Sequence, residues 1–367
     1  MRLLFVDDES RVLQGIRRML FAQGVQWETA FAGGGPEALQ LLEAKPFDAI
    51  VTDMRMAPMD GGELLKRVRE TWPSMLRVVL SGHTEAAAAI RALHLAHQLL
   101  SKPCDADVLV ETVRSGVAVQ SLLAAPVMRA IVSRLTTLPA EPKVHAEITL
   151  ALRDSHCDAR RIATILGHDP GLSAKVLQVA NSAYFTASRV ANDIQAAVAR
   201  IGLSNVNDVV LATEVYDPAV HGRSVENLRD RALRASRLAA RIAADRPDAS
   251  VAATAALLTD VGYLVPEVAL ADIAEMPGLL SHRAHAEIGA YLLALWGLPL
   301  PIVEAVAYHH MPSRVARSDF GIHGVVHVAA ALVAGEEPDM EFLALHDMEQ
   351  HLPAWRALCA TAVDGDE

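Results

Sequence analysis

Up to about residue 120, short apolar runs alternate with stretches in which apolar residues recur every three or four positions. The runs at 3–6, 26–30, 49–52, 78–80 and 98–100 have the length and β-branched content of buried strands. The intervening spacing predicts helices over 11–23, 36–44, 63–71, 85–93 and 106–119. Five strand–helix units of this size imply an α/β fold, a doubly wound parallel sheet of five strands. Beyond them the strand pattern stops. Residues 143–350 are dense in Ala and Leu at helical spacing, with breaks such as Gly167-His168-Asp169-Pro170, Gly202 and Gly297-Leu298-Pro299. They predict an all-α domain of many medium helices, with Asp169 capping a helix that starts at Pro170. Between the halves, Val113, Val117, Leu123, Val127, Ile131 and Leu135 step by about a helical turn across Pro126. That predicts one helix ending near Ala124 and another starting at Pro126, with a single kinked helix as the alternative. The expected organisation is a first domain at 1–120, a helical linker at 121–137, a helical domain at 138–335 and a helical extension at 336–367.

Charge narrows the partners. The net charge is −11, and residues 1–120 hold 13 basic and 15 acidic side chains, which leaves −9 for the remainder. Neither half offers the basic surface that phosphate-backbone binding needs, so direct nucleic-acid contact is disfavoured. Residues 159–166, a Gly167 turn and 172–180 have the outline of a helix-turn-helix. Beyond Arg160, Arg161 and Lys175 they carry little positive charge, and two packed core helices are the expected reading. Cys104, Cys157 and Cys359 are far apart in sequence, which suits a reducing compartment rather than a disulfide framework or zinc knuckle. The N-terminal apolar run is too short for a signal peptide, and no uncharged run approaches a membrane span. A cytoplasmic protein without membrane contact is expected.

Candidate chemistry gathers at the ends of the strands. The first is followed by Asp7-Asp8, the third by Asp53, the fourth by Ser81 and the fifth by Lys102-Pro103. In an open parallel sheet all of these project at the carboxyl edge, where ligands bind. Singly, each reads as an ordinary cap or turn residue. Together, three carboxylates repel each other unless a cation is present, and a hard ion that keeps several waters, Mg²⁺, fits best. A lysine and a hydroxyl beside them complete a pocket for a phosphoryl group. The Gly33-Gly34-Gly35-Pro36 run lacks the Gly-Lys-Ser/Thr of a phosphate loop and reads as a turn into the second helix.

These residues, with Met59-Asp60-Gly61 downstream of Asp53, closely resemble the receiver domain of two-component response regulators over about residues 1–120. The resemblance implies a flavodoxin-like fold in which Asp53 accepts phosphate from a histidine kinase. It also implies that Asp7, Asp8, Asp53 and the backbone carbonyl of Arg55 hold Mg²⁺, that Lys102 and Ser81 contact the phosphoryl oxygens, and that Lys102–Pro103 is cis. Leu99 stands where receivers usually carry an aromatic switch residue, and Pro58 lies one place later than usual.

In the second half Asp260, His282, His285 and the His309-His310 pair could hold a metal between helices. The segments DPGLSAKVLQVANSAYF, AAVARIGL, AALLTDVG, HAEIGAYLLALWGLP and EAVAYHH resemble the HDOD family, a non-standard relative of HD-type metal-dependent phosphohydrolases. The resemblance places Ala235, Thr259-Asp260 and Ala330 where catalytic relatives carry their primary ligands. Alanine cannot ligate and threonine is a poor substitute for imidazole. Hydrolysis and a bound metal are therefore not expected there, and Asp260, His285, His309 and His310 read as a vestigial site. The expected protein is a response regulator that signals through an inactive HDOD domain to a downstream protein partner, with homodimerisation left open. The alternatives are a metal-dependent phosphohydrolase or phosphodiesterase, and a DNA-binding regulator reading through 160–175.

Overall fold

A computed structural model of the chain describes residues 1–82, 90–119, 123, 126–154, 156–185, 190–213, 218–265, 284–315 and 319–363. Most of the helix expected at 85–93 lies outside the described residues, as do His282 and Ala124; residues 90–92 are helical. The chain packs as two units, the first centred on Met1–Thr137 and the second on most of the chain from Leu138 onward. No helix among the described residues is long and apolar enough to cross a membrane.

The first unit opens with β1 (Arg2–Val6), α1 (Ser10–Ala22), β2 (Glu28–Ala32), α2 (Gly35–Ala44), β3 (Ala49–Thr52) and α3 (Gly61–Thr71). It continues with β4 (Leu76–Gly82), β5 (Gln98–Lys102), α4 (Ala106–Ala118) and α5 (Pro126–Arg134). The strands form one parallel sheet in the order β2-β1-β3-β4-β5. Leu3, Leu4, Phe5, Ile50 and Val51 are buried, as continuous apolar strands covered on both faces must be. Among the boundaries that differ from the sequence expectation, three have a pairing or capping reason. β2 runs two residues later than 26–30, because its ladder with β1 starts at Arg2↔Glu28 and ends at Val6↔Ala32. β4 runs to Gly82, so Ser81 lies inside the strand, opposite Ser101, rather than after it. α3 starts at Gly61 rather than 63, because Asp60 is its N-cap and accepts the Glu63 N–H at 2.7 Å. The glycine run turns into α2, with the Gly33 N–H donating to Glu37 Oε2 at 2.7 Å.

The second unit is helical among its described residues. Its helices are α6 (Pro142–Ala151), α7 (Ala159–Leu166), α8 (Pro170–Asn181), α9 (Ile194–Leu211), α10 (Pro218–Ile242) and α11 (Ala249–Leu257), then α12 (Ala284–Leu295), α13 (Leu300–Tyr308), α14 (Gly321–Ala334), α15 (Met340–Leu345) and α16 (Leu352–Val363). Gly202 interrupts α9 with φ 78°, a conformation a side chain would resist. Asp169 caps α8, accepting the Leu172 N–H at 2.8 Å. Every residue from Pro170 to Ala180 is buried, so α8 offers no face to a DNA groove, and the helix-turn-helix outline is two core helices.

Candidate functional site

The carboxyl edge of the sheet brings three of the expected residues into direct contact. Lys102, the last residue of β5, places Nζ 2.6 Å from Asp7 Oδ2 and 2.9 Å from Asp53 Oδ1. The Asp7 and Asp53 side chains are 3% and 13% exposed, against 21% for Lys102, so this triad is poorly screened by water. Burial works against the charge on Lys102. Hydrogen bonds and Coulomb attraction from the two carboxylates outweigh it and raise its pKa above the ordinary lysine value.

Backbone groups aim the carboxylates. Asp7 Oδ1 accepts the Glu9 N–H at 2.9 Å, and Asp53 Oδ2 accepts the Arg55 N–H at 3.0 Å. Asp53 is itself tied to β1 by its N–H, which donates to the Val6 carbonyl at 3.0 Å. Asp8, more exposed, accepts the Ala57 N–H at 3.3 Å and thereby holds the loop after β3. That loop closes where the Gly61 N–H meets the Met54 carbonyl at 2.9 Å. A Cβ on Gly61 would lie 2.0 Å from the Asp53 carbonyl oxygen, so only glycine fits this approach. The Ala57–Pro58 and Lys102–Pro103 bonds are both cis. Ser81 is half-buried, and its Oγ donates to the Gly82 carbonyl at 3.4 Å rather than to the triad. Leu99, next to the centre of β5, is buried.

The opposite end of β4 and β5 holds a cluster that pattern reasoning missed. Arg77 and His97 are both fully buried. The Arg77 guanidinium donates to the carbonyls of Leu95 (2.9 Å), Pro73 (3.2 Å) and Ser133 (2.6 Å), the last near the C-terminal end of α5. His97 Nδ1 accepts the Arg77 N–H at 3.1 Å, so the ring proton sits on Nε2 and is donated to the same Ser133 carbonyl at 2.9 Å. Burial first, then the Arg77 charge, hold His97 well below the ordinary imidazole pKa, against the Ser133 bond. An arginine in an apolar strand was the available signal; its partner lies 56 residues away.

In the second unit a cavity of about 720 Å³ gathers Asp260, His285, His309 and His310, with Ala235, Thr259 and Ala330 also in its wall. The expected ligand positions and the expected gaps thus share one space. His285, at the start of α12, stacks on Tyr263 with centroids 4.1 Å apart. Its Nε2 lies 3.4 Å from His310 Nε2 and 3.6 Å from Asp260 Oδ1. Arg231 on α10, which the sequence did not single out, holds Asp260 Oδ2 at 2.7 Å. The Thr259 hydroxyl is turned to the Ala256 carbonyl at 2.9 Å. Burial, then the neighbouring imidazoles, push His309 down to about 3; burial, His310 and Arg231 do the same to His285.

Family models match a response regulator receiver domain over residues 3–114 and an HDOD domain over 138–312. The chain joins a receiver domain to an HDOD domain. The five-stranded sheet belongs to the first and the buried histidine cluster to the second. The hydrogenase transcriptional regulatory protein HoxA of Bradyrhizobium diazoefficiens is 38% identical over 122 residues, 33% of this chain and 24% of the relative. The transcriptional regulatory protein ZraR of Klebsiella oxytoca is 30% identical over 194 residues, 51% of this chain and 41% of the relative. The chain therefore spans less than half the length of either relative. Among solved structures, the MmoQ response regulator of Methylococcus capsulatus is 20% identical with a TM-score of 0.47, covering 60% of this chain and 98% of that one. The receiver domain of an HD domain-containing protein from Pseudomonas fluorescens is 28% identical with a TM-score of 0.31, covering 33% and 96%. A receiver domain implies a phosphodonor.

Proposed function

We propose that this chain is a phosphorylation-switched signalling protein: a histidine kinase phosphorylates Asp53, and the HDOD domain transmits the change by protein–protein contact without hydrolysing a substrate. The observation that carries this reading is the Asp7–Lys102–Asp53 triad at the carboxyl edge of the sheet. Asp53 Oδ1 attacks the phosphorus of a phosphohistidine; the O–P bond forms as the P–N bond breaks, and the leaving imidazole keeps the electron pair and takes up a proton. Lys102 then neutralises charge on the transferred group. The oxygen-only donor set of Asp7, Asp8, Asp53 and the Arg55 carbonyl suits Mg²⁺, which supplies further neutralisation of the phosphoryl oxygens when bound. Ser81, at the same edge, is assigned a hydrogen bond to the phosphoryl oxygens. In the HDOD domain, Ala235, Thr259 and Ala330 supply no ligands to complete a water-activating metal pair.

The signal leaves through the β4–β5 pair. Lys102 and Ser81 lie at one end of these strands, and Arg77 and His97 at the other, about 13 Å away along β4 and about 17 Å along β5 at 3.3 Å per residue. The far end grips the Ser133 carbonyl of the linker helix α5. With Leu99 in place of an aromatic switch, movement of the strand pair replaces ring rotation, and a coupling of about 1–3 kcal/mol is expected. Hydrogen exchange over residues 126–134, with and without phosphate on Asp53, tests this. Exchange there should change by about 5-fold or more; identical exchange in both states would mean that the strand pair carries nothing to the linker.

A further inference from the structure

The HDOD cavity has a donor set that the signalling role leaves unused. Three imidazole nitrogens, one each from His285, His309 and His310, all lie within 4.8 Å of one another. The His285 and His310 Nε2 atoms are 3.4 Å apart. Two nitrogens bound to one tetrahedral zinc at about 2.0–2.1 Å are separated by about 3.3 Å. His309 has its Nδ1 proton committed to the Val306 carbonyl at 2.8 Å, which leaves Nε2 bare. Backbone anchoring of one ring nitrogen is how a protein fixes the tautomer of a metal-ligating histidine. Stacking on Tyr263 sets the plane of the His285 ring.

We infer that His285, His309 and His310 bind one divalent transition-metal ion with the ligand preference of Zn²⁺, in a mononuclear, non-hydrolytic site. Asp260 Oδ1 lies 3.6 Å from His285 Nε2, outside the group of three imidazole nitrogens, with Arg231 holding its other oxygen. Charge at the cavity favours a cation: Asp260, Glu336 and Asp339 share the wall with Arg231, while Glu337 is paired with Arg356. Ala235, Thr259 and Ala330 offer nothing to a second ion. They remove a binuclear centre and leave the mononuclear one, so the expectation of no metal, drawn from those residues, covers only the hydrolytic pair. This inference is independent of phosphorylation at Asp53.

The test uses the untagged full chain, stripped with a chelator and titrated with Zn²⁺ or Co²⁺ alone. One equivalent should bind with low-micromolar or tighter affinity. The Co²⁺ form should show the intense visible bands of a tetrahedral nitrogen-rich site, and hydrolysis of a simple phosphodiester should stay at background. His310→Gln should weaken binding by about 10–100-fold or more. Failure of the wild-type chain to take up one ion would overturn the inference, leaving the 3.4 Å pair as an imidazole–imidazole hydrogen bond. So would unchanged binding in a His285→Gln/His310→Gln double variant, an octahedral cobalt spectrum, or zinc-dependent hydrolysis. The wild-type spectrum decides the case even if the variants fold poorly.

Discussion

Replacing Arg77 with methionine should destabilise the receiver unit by about 3 kcal/mol or more and loosen the linker helix. The guanidinium is fully buried and donates to three backbone carbonyls, of Leu95, Pro73 and Ser133. Hydrogen bonds from a charged donor contribute roughly 1.5–3 kcal/mol each, and an acceptor stranded in a dry interior costs its full desolvation. Relief of the buried charge offsets part of this loss. Methionine fills much of the volume, so the loss would be polar rather than a cavity effect. His97 gives a second readout. Without the Arg77 charge, burial alone holds its pKa down, and its titration should move up towards the ordinary value of about 6.5. A depressed histidine contributes stability above its unfolded pKa and loses it as pH falls, so acid sensitivity from this site should shrink in the variant. Urea denaturation and histidine NMR titration measure both. A stability change under about 1 kcal/mol with an unmoved His97 would show that the cluster does not hold the linker.

In the HDOD unit, Asp169→Ala should cost about 3–5 kcal/mol. The Asp169 and Arg229 side chains are 0% and 5% exposed, and their ion pair is 3.3 Å long. Asp169 Oδ1 also caps α8 at the Leu172 N–H, and Oδ2 accepts the Glu141 N–H at 2.7 Å, just before α6. One carboxylate thus joins the starts of two helices and compensates a buried guanidinium. Alanine would leave the Arg229 charge with less compensation and both N–H groups unpaired, each a separate penalty. Asp169→Asn should cost less, because the amide oxygen can keep the cap while the ion pair is lost. Denaturant unfolding of both variants separates the two contributions; equal, small losses would mean that the pair contributes nothing net.

The sheet and its edge were legible because strand periodicity and the position of polar residues after each run are local properties. Asp7, Asp53 and Lys102 follow from that alone, once the parallel topology sets all carboxyl ends on one side. Ser81 was misplaced by one boundary, since the ladder with β5, not the apolar run, decides where β4 ends. The cap at Asp169 was legible from the Asp-Pro step, whereas its pairing with Arg229 was not, because 60 residues separate the two. Arg231 beside Asp260, and Ser133 beside Arg77, were hidden for the same reason: long-range partners leave no periodic trace. The histidine cluster was visible as a set of residues, but their spacing relative to a metal shell needs the packed helices.

Phosphorylation is expected on Asp53 alone. Incubation of the chain with a small acyl-phosphate donor and Mg²⁺, followed by intact-mass and peptide mapping, measures it directly. One phosphoryl group should appear on the peptide holding Asp53, with no labelling when a chelator is present or when Asp53 is replaced by Asn. Labelling that persists in Asp53→Asn, or that proceeds undiminished with the divalent ion removed, would contradict the account.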